Sequence, residues 1–396
     1  MNNQMKRKQV STLGLMSSAC AGMFVFGIVM AVLGAMLPSL FSKIQFNKSE
    51  AGSLFLYMNL AMLVMSVIFG PIVDRFGFKL FLIVCSLLVA ASLFIFTYAS
   101  TYSIILIAAV ILGFGGGGLN GGTNALTSDI HPDKRSSALN LLGIFFGFGA
   151  LTIPFLIGVL LTHIGLRFIL ILATLLALVP FILFSVFPFP RPKHGQGFPL
   201  SQATKVMRHP LLWLCGFLLF FQSGNEFTIG GWISTYLNEY FHFTPMMASI
   251  ILAGYWAAIM SGRLASTKIV KIVKNEKLVF VSAFLSLIGA IMIVTSSSKT
   301  IACLGVVLIG LGFAAIFPTT LAVVGGVFPA FSGTVFSFIF VIALAGGMIS
   351  PWLTGKIAQA YSIRQGLFIP VFNCSMIIIL QIVIMKVMKK HCGVRL

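Results

Sequence analysis

Carboxylates are scarce in this chain: Asp and Glu together number 7 among 396 residues, against 26 Lys and Arg, and charged residues of both signs make up only 8%. So little charge cannot cover the surface of a water-soluble domain of this length. Cysteines number 6, five of them inside apolar segments and no two at C-x-x-C spacing, so neither a disulfide framework nor a thiolate metal site is implied. The apolar segments hold no Ser/His/Asp set, and no cofactor motif stands anywhere in the chain, which argues against an enzyme. The glycine-rich run "GFGGGGLNGG" lacks the strand-turn-helix context of a nucleotide loop and fits close helix packing instead. A net charge of +19 raises the question of a nucleic-acid partner, yet the basic residues fall in short clusters between apolar runs and form no aromatic-interleaved stripe.

Apolar sequence is what the chain has in quantity, at 59% of residues. Runs of roughly 20 residues recur along its length, each able to cross a hydrocarbon core of about 30 Å. Twelve spans are expected, at 12–40, 51–73, 79–99, 103–127, 136–162, 166–188, 210–238, 246–267, 277–296, 300–325, 332–358 and 365–386. The first follows Lys6, Arg7 and Lys8 as a signal peptide would, but it is too long for a cleavable one and reads as a transmembrane helix. With the N-terminus placed inside, 6 basic residues (Lys43, Lys48, Arg167, Lys299, Lys356, Arg364) fall on the outer side and the remaining 20 of 26 on the inner side. That bias predicts cytoplasmic termini and a multi-pass protein of a cell membrane, the bacterial inner membrane.

The longest polar connection, "FPRPKHGQGFPLSQATKVMRHP", divides the chain into an N-terminal six-helix half (1–190), a cytoplasmic linker (191–209) and a C-terminal six-helix half (210–396). The halves are related by a repeat with a fixed offset of 197 positions. It pairs Gly113 with Gly310, Gly115 with Gly312, Thr123 with Thr320, Pro132 with Pro329, Gly149 with Gly346, Pro154 with Pro351 and Gly158 with Gly355. An offset across an even number of helices makes the repeats parallel.

Between spans two and three stands "GPIVDRFGFKL", where Gly70, Asp74, Arg75, Gly77 and Lys79 put an acid and bases into a tight turn. Such charges can pair across helix ends and hold one face of a pore shut; a merely solvated turn obeying the charge bias is the plainer reading. The pattern resembles the signature loop of the major facilitator superfamily, with a degenerate second copy at Gly262 and Arg263. That resemblance spans the whole chain. It implies a transporter with a cavity open alternately to either side, lined by spans 1, 4, 7 and 10, and gating by the loop residues together with Arg135 and Arg263.

"GFGGGGLNGGTNALTSDIHPDKRSSALNLLGIFFGFGAL" is similar to the fourth and fifth helices of the fucose–proton symporter branch, which includes bacterial glucose/mannose symporters and vertebrate sodium-dependent glucose transporters. Asn124, Leu139, Asn140 and "FGFGAL" match, while Asn120 stands where that branch carries a Glu. Span seven supplies a carboxylate instead: "NEFTIGGWISTYL" places Glu226 among apolar neighbours, followed by Gly230 and Gly231. A carboxylate at the centre of a membrane helix costs about 2.5 to 3.5 kcal/mol, so such acids face water or a partner and serve a function. At about 100° per residue, Gln222, Asn225, Glu226, Trp232 and Tyr236 share an arc of about 120°, and Asn120, Thr123, Asn124 and Thr127 share one of about 100° on span four. Two polar faces, with Trp232 or Trp256 offering an apolar ring, suit a hydroxyl-rich ligand.

The expected function is import of a small polar solute, a sugar, by symport with H+ or Na+, with Glu226 as the coupling residue and Asn120, Thr123, Asn124, Gln222, Asn225, Trp232, Tyr236 and Trp256 about the solute. No cofactor or metal is expected beyond the co-transported cation, and a monomer in the bilayer with no nucleic-acid partner. The alternative is a proton-driven exporter of amphiphilic compounds, for which the 39 phenylalanines speak. A receptor or scaffold fits poorly, because no sizeable soluble segment is present to act on anything else.

Overall fold

Hydrocarbon offers a peptide group no water to bond with, so each apolar run closes its hydrogen bonds within itself as a helix. The structure, a computed structural model, describes residues 2–131, 135–189, 209–328 and 332–392, and within them the side chains of all but 2–11, 74, 135–137, 332–334, 337 and 390–392. Among the described residues there is no strand. The helices are α1 (Asn2–Phe41), α2 (Lys48–Tyr98), α3 (Tyr102–Ile130), α4 (Arg135–Val186), α5 (Pro210–Phe241), α6 (Pro245–Ile269), α7 (Asn275–Thr295), α8 (Lys299–Val327), α9 (Ser332–Ala360), the single turn α10 (Ile363–Gly366) and α11 (Phe368–Cys392).

Two of these helices cross twice. α2 breaks at Gly77 (φ 81, ψ 163) and α4 at Gly165 (φ 73, ψ 162), a backbone region open in practice only to glycine. The legs of α2, Lys48–Val73 and Arg75–Tyr98, are each long and apolar enough to span, and the 49 apolar residues of α4 would reach about 74 Å if straight, more than twice a hydrocarbon core. α1, α3, α6, α7, α8, α9 and α11 are each long and apolar enough to cross once, and α5, whose polar residues around Glu226 leave it less apolar, is long enough at 32 residues, so the twelve expected spans are present as helix among the described residues. Exposed Phe94, Phe168, Leu304 and Phe372 lie where lipid, not water, is the solvent.

The chain forms two compact units, Met1–Phe46 with Tyr57–Gln196 and Pro245–Ala253, and Asn47–Leu56 with Gly197–Thr244 and Gly254–Leu396. The start of α2 therefore belongs with the second unit and the start of α6 with the first. The linker expected at 191–209 lies, except for His209, outside the described residues.

Within each unit the helices meet at glycines, and the contacts repeat. In the first unit a Cβ on Gly149 would run into the Phe24 carbonyl oxygen; in the second, a Cβ on Gly346 would run into that of Phe220. Gly113 meets the Met58 carbonyl, and Gly310 meets that of Tyr255, 197 residues on. A Cβ on Gly115 would lie 2.8 Å from Cys85 O, and one on Gly312 would lie 2.8 Å from Ser282 O, again 197 residues on. Gly158 packs in the first unit against Ile250 of α6, and Gly355 in the second against Lys48 and Gly52 of α2. The repeat is thus a repeat of backbone approaches, of the kind that holds helices together where no hydrophobic effect can.

α2 starts in a capping box, Asn47 N–H donating to Glu50 Oε2 (2.7 Å) and Glu50 N–H to Asn47 Oδ1 (2.8 Å). Lys48 Nζ pairs with Glu239 Oε2 at 2.7 Å, and its backbone N–H donates to Gln359 Oε1. These ties fix the beginning of α2 to α5 and α9 in the second unit.

Gly165→Ala should lower stability by about 1 to 3 kcal/mol through strain alone, since a methyl there meets nothing within 4 Å. Gly143→Ala, in helical α4 and equally open, should be neutral or stabilising by up to about 1 kcal/mol. Thermal melts of the two variants in one detergent make the comparison; equal melting temperatures would refute the strained hinge.

Candidate functional site

α5 presents Glu226 on its inner face. At about 100° per residue Glu226 stands roughly opposite the lipid-exposed edge formed by Trp213 and Phe217. Glu226 as a residue is half-buried, in the middle of a helix whose polar neighbours Gln222 and Asn225 are fully buried. Gln222 Nε2 donates to Glu226 Oε1 at 3.0 Å and points at Phe313 O of α8 at 3.5 Å. Asn225 Nδ2 lies 3.3 Å from Cys374 Sγ of α11. Five residues after Phe313, Pro318 has no N–H to give to the Ala314 carbonyl, so α8 carries one unpaired helical carbonyl in this region.

From α6, Tyr255 and Arg263 stand within electrostatic reach of Glu226, and of each other. Gln222 Oε1, Asn225 Oδ1, Thr228 Oγ1 and the Tyr255 hydroxyl are buried without a hydrogen-bond partner among the described residues. A buried polar atom left so costs about 1 to 3 kcal/mol, and several in one region are a sign that water or a ligand completes them. The second unit therefore holds a carboxylate, a guanidinium within its electrostatic reach, and buried oxygens without a partner on α5 and α6.

The first unit holds a smaller polar group on α3. Asn124 Nδ2 donates to the Asn120 carbonyl at 2.8 Å and to Asn120 Oδ1 at 3.0 Å, and both side chains are half-buried. Thr123 is fully buried, its hydroxyl returned to Leu119 O at 2.7 Å and lying 3.7 Å from Met23 Sδ. Thr123 thus packs against α1, while the two asparagines keep accessible polar edges.

Trp232 and Tyr236, expected beside a ligand, are fully buried with their polar edges already engaged. Trp232 Nε1 donates to Pro351 O at 3.0 Å, and its ring packs by Phe55 and Gly355. The Tyr236 hydroxyl donates to Ile293 O at 2.8 Å and its ring stacks on Tyr240 at 5.3 Å. A shared arc of a helix includes both a cavity-facing strip and the strip that touches neighbouring helices, and these two rings sit on the second. Trp256 lies edge-on to Tyr255 and close to Gly230, nearer to Glu226 along the bundle.

Of the gating residues, Arg75 is exposed with its guanidinium 5.3 Å from the Phe76 ring, Lys79 is half-buried, and Gly70 meets nothing within 4 Å. Gly77 is the hinge of α2. The side chains of Asp74 and Arg135 lie outside those described. Arg263, read from sequence as a loop residue, stands instead beside Glu226 in the second unit. Tyr255 was not singled out by sequence; its place at the 197-residue counterpart of Met58, opposite Gly310, was the available signal.

The chain belongs to the major facilitator superfamily, matching that family over residues 19–351 and again over 216–390. It is therefore a multi-pass membrane transporter. It is 23% identical over 377 residues to a glucose/galactose transporter of Brucella abortus, covering 88% of each chain, and 30% identical over 145 residues, 37% of this chain, to the rat sodium-dependent glucose transporter 1. Among solved structures it resembles a D-xylose-proton symporter with a TM-score of 0.79 at 15% identity, over 94% of this chain and 97% of that one. It also resembles the E. coli fucose:proton symporter, with a TM-score of 0.66 at 16% identity, over 94% and 99%. At such identities the structural likeness speaks for the fold alone.

Tyr236→Phe should cost about 1 to 2 kcal/mol of stability by orphaning the Ile293 carbonyl, with solute affinity unchanged. Melting temperature and solute binding measured on one preparation test this; a large loss of affinity with normal melting would return Tyr236 to the ligand's side.

Proposed function

We propose that this transporter imports a small polar solute, a sugar, by symport with H+ or Na+, and that Glu226 carries the coupling cation. The observation that carries the reading is the half-buried Glu226 in mid-helix, its carboxylate accepting from Gln222 and the guanidinium of Arg263 within electrostatic reach. A lone carboxylate that must change its ion or proton occupancy needs access, a neighbour that tolerates both states, and a competing positive charge; Gln222 and Arg263 supply the last two. Asn120 and Asn124, with both donors and acceptors left accessible, suit sugar hydroxyls. The glucose/galactose relative supports the same solute class. One charge moved inward across about 100 mV supplies roughly 2.3 kcal/mol, enough for about fifty-fold accumulation of a neutral solute, so one coupling carboxylate suffices. The charge bias of the loops supports cytoplasmic termini in a bacterial inner membrane, with the protein working as a monomer and needing no cofactor besides the co-transported cation.

In proteoliposomes a labelled hexose should accumulate under an inward H+ or Na+ gradient. Glu226→Gln should abolish that accumulation while equilibrium exchange of the same hexose persists at a rate within about tenfold of the parent's. Undiminished gradient-driven accumulation by the Gln variant would remove Glu226 from coupling, and dye efflux driven by a pH gradient with no competition by sugars would replace import with export.

A further inference from the structure

The turn after α6 carries chemistry that solute transport does not use. α6 ends at Ile269 and α7 begins at Asn275, and since both are long and apolar enough to cross, the turn between them stands where hydrocarbon gives way to headgroups. Lys268, Lys271, Lys274 and Lys277 are all exposed. Between them lie exposed Ile269, Val270 and Ile272, and Ile272, at 87%, is the most exposed large apolar side chain among the described residues. In water an uncovered isoleucine is unfavourable, and the exposed ammonium groups of Lys268, Lys271 and Lys277 repel one another. In the interfacial layer of an anionic membrane both defects are relieved at once: the aliphatic side chains enter the acyl boundary, and the lysines extend outward to phosphate.

The internal repeat makes the feature specific to this turn. At an offset of 197 residues Lys271 stands opposite Asp74, and Lys274 opposite Gly77. The loop of the first half mixes signs, with an acid at its centre. Its counterpart has a lysine in place of that acid and keeps one carboxylate, Glu276, at the start of α7. A turn that needed only to be polar, or to hold a helix-end ion pair, required neither four lysines nor three bare aliphatic residues.

We propose that residues 268–277 are a docking element for anionic glycerophospholipid headgroups, the lysines contacting phosphate and Ile272 inserted beside the glycerol backbone. A lysine near an anionic surface contributes about fivefold in binding, so the four together exceed tenfold even where they act far from additively. The proposal does not depend on which solute is carried or on Glu226.

The test uses the full chain in nanodiscs made from equal parts phosphatidylcholine and phosphatidylglycerol, with the lipid that stays bound after extraction counted by native mass spectrometry. Phosphatidylglycerol should be enriched on the parent protein. The enrichment should fall at least about tenfold in the variant carrying K268Q, K271Q, K274Q and K277Q, fall part-way in Ile272→Ser, and weaken in about 0.5 M salt. Lys386→Gln with Lys389→Gln, removing basic residues at the far end of α11, should leave it unchanged. Equal retention of the two lipids by the parent, or undiminished enrichment in the fourfold variant, overturns the proposal. Should the fourfold variant fail to fold, the parent's salt response and Ile272→Ser decide it, and insensitivity to both counts against it.

Discussion

Everything in this protein answers to the absence of water from the bilayer core. A peptide group there must bond within its own segment, which leaves helices as the only building unit. Helices then gain nothing from apolar burial against one another, because lipid is as apolar as a leucine. They associate where backbones come close, and the glycines that meet the carbonyls of Phe24, Met58, Cys85, Phe220, Tyr255 and Ser282 are the places where this happens. The same constraint makes Glu226 conspicuous. A carboxylate that could have been any aliphatic residue must be reached by water, solute or a counter-charge, and the partners around it are of that kind.

The two halves share packing and differ in chemistry. Gly113 and Gly310, and Gly115 and Gly312, approach backbone carbonyls 197 residues apart, and Gly149 and Gly346 approach those of Phe24 and Phe220, 196 apart. Thr123 with Thr320 apart, the polar positions singled out above do not repeat. At 197 residues' distance Glu226 corresponds to Val29, Gln222 to Val25, Asn225 to Ile28, Tyr255 to Met58 and Arg263 to Ser66, while Asn120 and Asn124 correspond to Phe317 and Leu321. Val29 is fully buried and packs where a Cβ on Gly116 would lie. A duplicated scaffold keeps what packing requires of both copies and is free to place a carboxylate such as Glu226 in only one.

Much of this was legible in the sequence because membrane constraints act on composition and period. Span number and the parallel repeat follow from apolar length and a fixed offset, and Glu226 stands out in the sequence by the cost of a charge at that depth. Trp232 and Tyr236 were harder. Sequence periodicity gives an angle around a helix but not which neighbour occupies that angle, and the carbonyls of Pro351 and Ile293 that bind these rings are far away in the chain. Tyr255 and the Lys48–Glu239 pair were missed for the same reason, since each gains its meaning from a helix that only the tertiary fold brings near. Asn47 could be misread as a glycosylation acceptor, whereas its side chain caps α2.

The arrangement around Glu226 also bears on why Arg263 belongs with it. An isolated anion at this depth would be trapped by whichever cation reached it, because desolvation removes the water that would compete for the ion. If Glu226 binds and releases a cation as proposed, a guanidinium within electrostatic reach gives the empty site an internal counter-charge, so that release does not strand a bare carboxylate in hydrocarbon. Gln222 can follow the exchange, since its amide donates to the ionised carboxylate through Nε2 and, turned over, offers Oε1 to a protonated one. On the reading proposed above, an adaptable amide and a guanidinium within electrostatic reach let the carboxylate hold either occupancy, and a near balance between the two, more than tight binding in either, is what a coupling site in a symporter requires.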